Sequence, residues 1–212
     1  MTQAAPVRTP RVAVADLGIG NFAALAKMVE RLGASVTRVD EPAGLTQASH
    51  VILPGVGAFD YAAAALDTGG WREPLSRLLA SGDRPVLCVC VGMQLLGSGS
   101  SEGPGEGLGY LRARCERFPQ QPGVKVPHMG WNTVEVVRPT RMFPADAPER
   151  FYFVHAYHLE CVDPADVVAR ARHGIDFTAV VQREAVTGVQ FHPEKSHRFG
   201  LDLLGRFLST PC

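Results

Sequence analysis

The chain has 212 residues, and its 21 Lys plus Arg balance its 21 Asp plus Glu, which argues against non-specific binding to nucleic acid or an anionic membrane surface. With 46% hydrophobic and 20% charged residues the composition is that of a globular chain, long enough to bury about 70% of its unfolded surface without a disulfide or metal staple. No apolar run nears a membrane span, Met1–Pro10 has no signal-peptide core, and five cysteines at irregular spacing do not form a secreted disulfide framework. The expectation is a soluble cytoplasmic protein with a flexible start over 1–10 and one domain over 11–212.

Arg11–Ala15 reads as a short buried strand, followed by a Gly-containing turn at Asp16–Asn21. Phe22, Leu25, Val29 and Leu32 recur at steps of three and four, as an amphipathic helix requires, with Gly33 placed as its C-cap. Ser35–Val39 and His50–Leu53 are the next strands, and the second runs into the turn Pro54-Gly-Val-Gly57. Helices are expected at Phe59–Leu66 and Arg72–Ala80. Pro85–Val89 is a continuous apolar run, as in a central strand covered on both faces. This alternation predicts an α/β fold with a largely parallel sheet. From about Arg112 the pattern changes to strand-like runs (Arg112–Phe118, Thr133–Val137, Phe151–His155, Val167–Arg172, Phe177–Gln182 and Ala185–Phe191), read as antiparallel additions, and a helix at about His197–Leu208 closes the chain. Gly97–Gly109 reads as a loop of functional length.

Gly18-Ile-Gly20-Asn-Phe-Ala23 fits a dinucleotide-binding fingerprint, with Asp40 at the end of the next strand in place for a ribose contact. The plainer reading is a tight strand-to-helix turn, which favours glycine in any α/β protein.

The segment Leu87-Cys88-Val89-Cys90-Val91-Gly92-Met93-Gln94 carries more chemistry. An apolar strand leads into Cys90, small Gly92 follows, and an apolar helix begins, which is the logic of a nucleophile elbow with Cys in place of Ser. Such a turn exposes the sulfur at the carboxyl end of a central strand, near a helix start that favours the thiolate, and leaves backbone N–H groups free for an oxyanion. A lone cysteine is more often an inert small hydrophobe, and Cys115, Cys161 and Cys212 are read that way. A base stands at the far end of the chain. In Gly188-Val-Gln-Phe-His192-Pro193-Glu194-Lys-Ser196, His192 follows an apolar strand, and the stiff turn lets Glu194 reach the imidazole and fix its tautomer. Alone, His-Pro-Glu would be a strand-ending turn; beside the elbow it completes a candidate Cys–His–Glu arrangement. His155 and His158 form an H-x-x-H pair, but strand geometry puts that spacing on opposite faces and no third ligand is evident, so no metal site is expected.

These residues resemble the class I (triad) glutamine amidotransferases, through Cys90-Val-Gly-Met-Gln94 and His192-Pro-Glu194. Within them the chain is similar to the glutaminase subunits of imidazole glycerol phosphate synthases of histidine biosynthesis. The likeness runs through Asp16–Asn21, Leu53–Phe59, Pro85–Leu96, Glu106–Gly109, Pro127-His-Met-Gly-Trp-Asn132, Phe151–His158 and Gly188–Ser196. The resemblance implies an α/β fold of that family: a central, mixed, mostly parallel sheet flanked by helices. It also implies hydrolysis of L-glutamine to glutamate and ammonia by Cys90, His192 and Glu194, with no cofactor. The oxyanion hole falls on Val56, Gly57 and Val91, and glutamine binding on Gly57, Gln94 and Glu102. A (β/α)₈ cyclase subunit is the implied partner, receiving ammonia across a surface that includes Asn21, Tyr152 and Lys195; His128, Trp131 and Asn132 fall in a stretch that fits docking, though Trp131 fits a core equally well. The alternatives are a paralogue feeding a sugar-modifying cyclase relative, a nucleotide-binding module and a silent docking module. Two departures stand out: Cys88 where relatives carry glycine, and Ala156 where they carry a hydroxyl residue.

Overall fold

The computed structural model describes residues 9–145 and 148–211, so the expectation for the first eight residues, and Cys212, lie outside the described residues. The first half alternates strand and helix: β1 (Arg11–Ala15), α1 (Phe22–Arg31), β2 (Ser35–Val39), β3 (His50–Gly55), α2 (Phe59–Thr68), α3 (Arg72–Ser81), β4 (Val86–Cys90) and the single turn α4 (Val91–Gln94). The second half is mostly strand: β5 (Gly99–Ser100), β6 (Gly103–Glu106), β7 (Ala113–Arg117), β8 (His128–Val136), β9 (Glu149–His155), β10 (Tyr157–Cys161), β11 (Val167–His173), β12 (Ile175–Arg183) and β13 (Val186–Val189). Helix α5 (His197–Leu208) closes it.

The sheet runs β2-β1-β3-β4-β13-β12-β10-β7-β5-β6, with β11, β8 and β9 branching from β12. From β2 to β13 every pairing is parallel, and from β13 through β12 and β10 to β7 every pairing is antiparallel. Strands β3 and β4 are buried at every position, as apolar runs in the middle of a parallel sheet must be. Helix α1 lies beside α5, and α2 packs on β6 and α4. Among the described residues no helix is long and apolar enough to cross a membrane.

Three differences from the sequence reading have physical causes. The loop expected at Gly97–Gly109 holds a short hairpin, β5 with β6. Strand β8 begins at His128 rather than Thr133, because it pairs with β9 from His128↔His155 onward, a tertiary contact that no local pattern encodes. And β9 ends at His155 while β10 starts at Tyr157, the break falling at Ala156, whose carbonyl accepts the Phe118 N–H. The break overturns the opposite-face expectation for His155 and His158. Both rings pack on Phe118, with centroids 5.2 and 4.8 Å away.

Candidate active site

Cys90 ends β4 with φ 55° and ψ −111°, a left-handed backbone that only a forced turn imposes on a residue with a Cβ. The turn is held by the close approach of its neighbours. A Cβ on Gly92 would lie 2.1 Å from the Leu53 carbonyl oxygen, so only glycine lets α4 start against β3. Strand β3 pairs Gly55 with Cys90, which sets the Pro54–Gly57 turn next to the elbow.

On the other side of β4, β13 pairs in parallel and carries the chain through Gln190 and Phe191 to His192. The His192 N–H donates to the Tyr152 carbonyl (2.9 Å). Ser196 clamps the same turn: its hydroxyl donates to the His192 carbonyl (2.6 Å) and accepts the Tyr152 N–H (3.0 Å). His192 Nδ1 meets Glu194 Oε1 at 2.8 Å, with both side chains almost fully buried. That bond commits Nδ1 to carrying a proton toward the carboxylate and turns Nε2 toward the cavity, where among the described residues no group meets it at hydrogen-bond geometry. Burial works against a charged imidazole here, but Cys90 and Glu194 outweigh it, and His192 is raised from 6.5 to about 9.

Cys90 and His192 line one cavity of about 350 Å³ together with Val56, Gly57, Val91, Gln94 and Glu102, a volume suited to a small polar ligand. Glu102 lies there with Oε2 accepting the Phe59 N–H (2.8 Å) at the start of α2. Gln94 donates from Nε2 to the Tyr157 carbonyl and to Gln190 Oε1, each at 3.1 Å. Both amide hydrogens are therefore used, and its own oxygen is left as the acceptor. Of the backbone donors implied for an oxyanion, Val56 is engaged elsewhere: its N–H donates to the Ile19 carbonyl at 2.5 Å.

The Gly18–Ala23 turn has its own explanation. Gly18 N–H donates to Asp16 Oδ1 (2.9 Å), Asn21 Oδ1 caps α1 by accepting the Ala24 N–H (3.4 Å), and the space before Gly20 is filled by Pro54, whose Cγ would stand 2.8 Å from an added Cβ. These glycines let the Asp16–Asn21 turn dock on the Pro54–Gly57 turn, and Asp40 points to solvent.

Lys195, at the cavity mouth, has its ammonium 6.0 Å from the Tyr152 ring centroid, and Trp131 meets Tyr152 edge-on at 6.2 Å. Asn21 and Lys195 are exposed, and Met129 (64%) and Trp131 (39%) leave large apolar surface uncovered. Trp131 is thus not a core residue. Ala156 lines the cavity without a hydroxyl, and Cys88 is wholly buried in β4, where burial pushes its thiol well up.

The sequence reading missed Gln190, Ser196 and the Tyr157 carbonyl. Gln190 and Ser196 sit inside the His192 motif, and an amide two residues from the candidate base was the available signal.

The fold and this site define a class-I glutamine amidotransferase: that family's model matches residues 13–208, and the chain belongs to the family. Among its relatives are proteins named imidazole glycerol phosphate synthase subunit HisH. That of Bdellovibrio bacteriovorus is 43% identical over 92% of this chain and 98% of the relative. One from Pseudomonas aeruginosa, named subunit HisH 2, is 41% identical over 93% and 98%. Two solved structures from Thermotoga maritima share the fold. PurLQS superposes with a TM-score of 0.73 at 20% identity, covering 95% of this chain and 98% of that one. A glutamine amidotransferase gives 0.63 at 19%, covering 91% and 80%.

Proposed function

We propose that this chain is the glutaminase subunit of an imidazole glycerol phosphate synthase in histidine biosynthesis, working in the cytoplasm. It hydrolyses L-glutamine and hands the ammonia to a (β/α)₈ cyclase partner that makes imidazole glycerol phosphate and aminoimidazole carboxamide ribotide. The observation that carries the reading is one cavity in which the elbow sulfur of Cys90, the Glu194-held imidazole of His192, Gln94 and Glu102 all meet. The relatives, named for subunits of that synthase, support the pathway.

In this mechanism the Cys90 sulfur adds to the carboxamide carbon of glutamine, its proton having passed to His192 Nε2. The oxygen becomes an oxyanion facing the backbone N–H groups of Val91 and Gly57. Collapse breaks the carbon–nitrogen bond, and the His192 imidazolium gives its proton to the leaving ammonia, leaving a thioester on Cys90. Water, deprotonated by His192, then breaks the carbon–sulfur bond, releases glutamate and restores the thiol. Glu194 holds the imidazolium through Nδ1, while the other carboxylate oxygen of Glu102 and the Gln94 oxygen face the substrate's ammonium. Ammonia leaves past Tyr152 and Lys195, beside Asn21 and Trp131 on the docking face.

The test is glutamate release from glutamine by the purified chain, alone and with a cyclase subunit plus its nucleotide ligand. Low turnover alone and a large rise in the ternary mixture is the expected result. Full turnover in a Cys90→Ala variant would overturn the triad. Stimulation by a sugar-modifying cyclase relative and none by the histidine-pathway cyclase would overturn the pathway.

A further inference from the structure

We infer that Gln190 is a further catalytic residue of this site: its side-chain amide presents a fixed N–H donor to the Cys90 sulfur and holds it in its anionic, attacking form. The inference rests on the reading of Cys90 as the nucleophile. Gln190 lies just beyond β13, completely buried, and its Nε2 donates to Cys90 Sγ at 3.6 Å, within reach for a large sulfur acceptor. A buried amide in this place can turn either its oxygen or its nitrogen to the sulfur, and only the nitrogen favours a thiolate.

The surroundings decide which end faces the sulfur. The Tyr157 carbonyl can only accept, so the Gln94 atom 3.1 Å from it must be the nitrogen. That nitrogen is also 3.1 Å from Gln190, so the Gln190 atom it meets must be the oxygen. Gln190 is thereby left with its NH₂ toward Cys90. The Tyr157 carbonyl is itself held, since His155 Nδ1 meets it at 2.8 Å and must donate. Gln94 thus acts as a positioning residue, and the β9–β10 break at Ala156 supplies the carbonyl that orients it.

The titratable groups lining the cavity around the sulfur are His192 after β13, His155 and Tyr157 at the β9–β10 break, Glu102 in the β5–β6 turn, and Lys195. Gln190 is neutral over the whole pH range, so its contribution is a constant bias toward the thiolate.

The experiment is the pH profile of Cys90 alkylation by iodoacetamide, followed by mass spectrometry of the Cys90 peptide, in the wild-type chain and in Gln190→Met, which keeps the shape and removes the donor. The alkylation midpoint is expected to rise by about one pH unit, as loss of a hydrogen bond to a charged group predicts, with glutamine turnover down roughly tenfold. A folded Gln190→Met variant with an unmoved midpoint overturns the inference. A wild-type Cys90 that resists alkylation at every pH instead overturns the glutaminase reading on which it rests. A second measurement needs no Gln190 variant: in ¹⁵N-labelled wild-type protein the Gln190 side-chain amide proton is expected to move with the same midpoint as alkylation and to lose that movement in Cys90→Ser. An amide resonance that is flat across the midpoint overturns the inference as well.

Discussion

The Val56 N–H donates to the carbonyl of Ile19 at 2.5 Å, tying the Pro54–Gly57 turn to the turn that follows β1. One peptide that the family resemblance assigns to the oxyanion hole is thereby aimed away from the cavity. The peptide that carries this N–H joins Gly55 to Val56, and without a Cβ the Gly55 ψ is free to change as that peptide rotates. Loss of one oxyanion donor costs roughly a hundredfold or more in turnover. If the proposed cyclase partner turns this peptide back into the cavity, the isolated chain is expected to release glutamate at least about a hundredfold more slowly than the proposed complex with ligand-loaded cyclase. Stopped assays with and without the partner measure the ratio, and a ratio near one would mean that the Ile19–Val56 bond does not restrain the site.

In the proposed mechanism His192 and Glu194 set the pH range of the chemistry. With His192 raised to about 9 by Cys90 and Glu194 against the effect of burial, the imidazolium that protonates the leaving ammonia survives to alkaline pH. The kcat/KM profile is expected to fall as pH rises through about 9, where that proton is lost. Removing the carboxylate removes one of the two groups that raise the imidazole, so Glu194→Gln should move this limb to lower pH and cut kcat roughly a hundredfold. An unmoved alkaline limb in Glu194→Gln would assign it to another group.

How far the sequence carries this site depends on whether a residue's role is local. The elbow was legible because apolar strand, Cys90 and Gly92 follow one another, and the His192–Glu194 pair because Pro193 fixes a two-residue turn. The parallel half of the sheet followed from alternating strands and amphipathic helices. What stayed hidden depends on pairing between distant segments. Strand β8 exists from His128 onward because β9 lies opposite it. His155 and His158 share a side because the chain breaks at Ala156. The orientation of Gln190 is fixed by Gln94 and Tyr157, far away in the chain. The dinucleotide-like glycines likewise answer to a distant segment: Gly20 is small because Pro54 occupies the space in front of it.

Two glycines give opposite expectations for the same substitution. A Cβ at Gly92 would stand 2.1 Å from the Leu53 carbonyl oxygen, a backbone atom in a fully buried strand that cannot yield. Gly92→Ala is expected to cost about 2–3 kcal/mol or more and to distort the elbow. At Gly205, inside α5, an added Cβ meets nothing within 4 Å, and alanine restricts the unfolded chain and favours helix. Gly205→Ala should therefore stabilise by about 0.5–1 kcal/mol. Urea midpoints for the two variants check both signs, and equal midpoints would contradict the packing argument.

Asn132, His128 and His155 form a hydrogen-bonded line with assignable protons. His155 Nδ1 donates to the Tyr157 carbonyl (2.8 Å), so its Nε2 accepts from His128 Nδ1 (3.0 Å), and His128 Nε2 accepts from Asn132 Nδ2 (3.2 Å). Each histidine is neutral in this arrangement. Burial is the main cause that pushes His128 down to about 4 and His155 to about 3. The unfolded chain takes up these protons below about 6.5 while the folded chain refuses them, so the contribution of these two histidines to stability should be level above that pH and fall as pH drops toward 4. At pH 5 the loss should be about 1–2 kcal/mol per histidine. His128→Phe should be less stable at pH 7 by about 1–3 kcal/mol, because His155 Nε2 loses its donor, yet show a shallower decline between pH 7 and 5. Urea unfolding at the two pH values separates the cases: equal slopes for the wild-type and His128→Phe proteins would mean that His128 takes up its proton in the folded chain as readily as in the unfolded one.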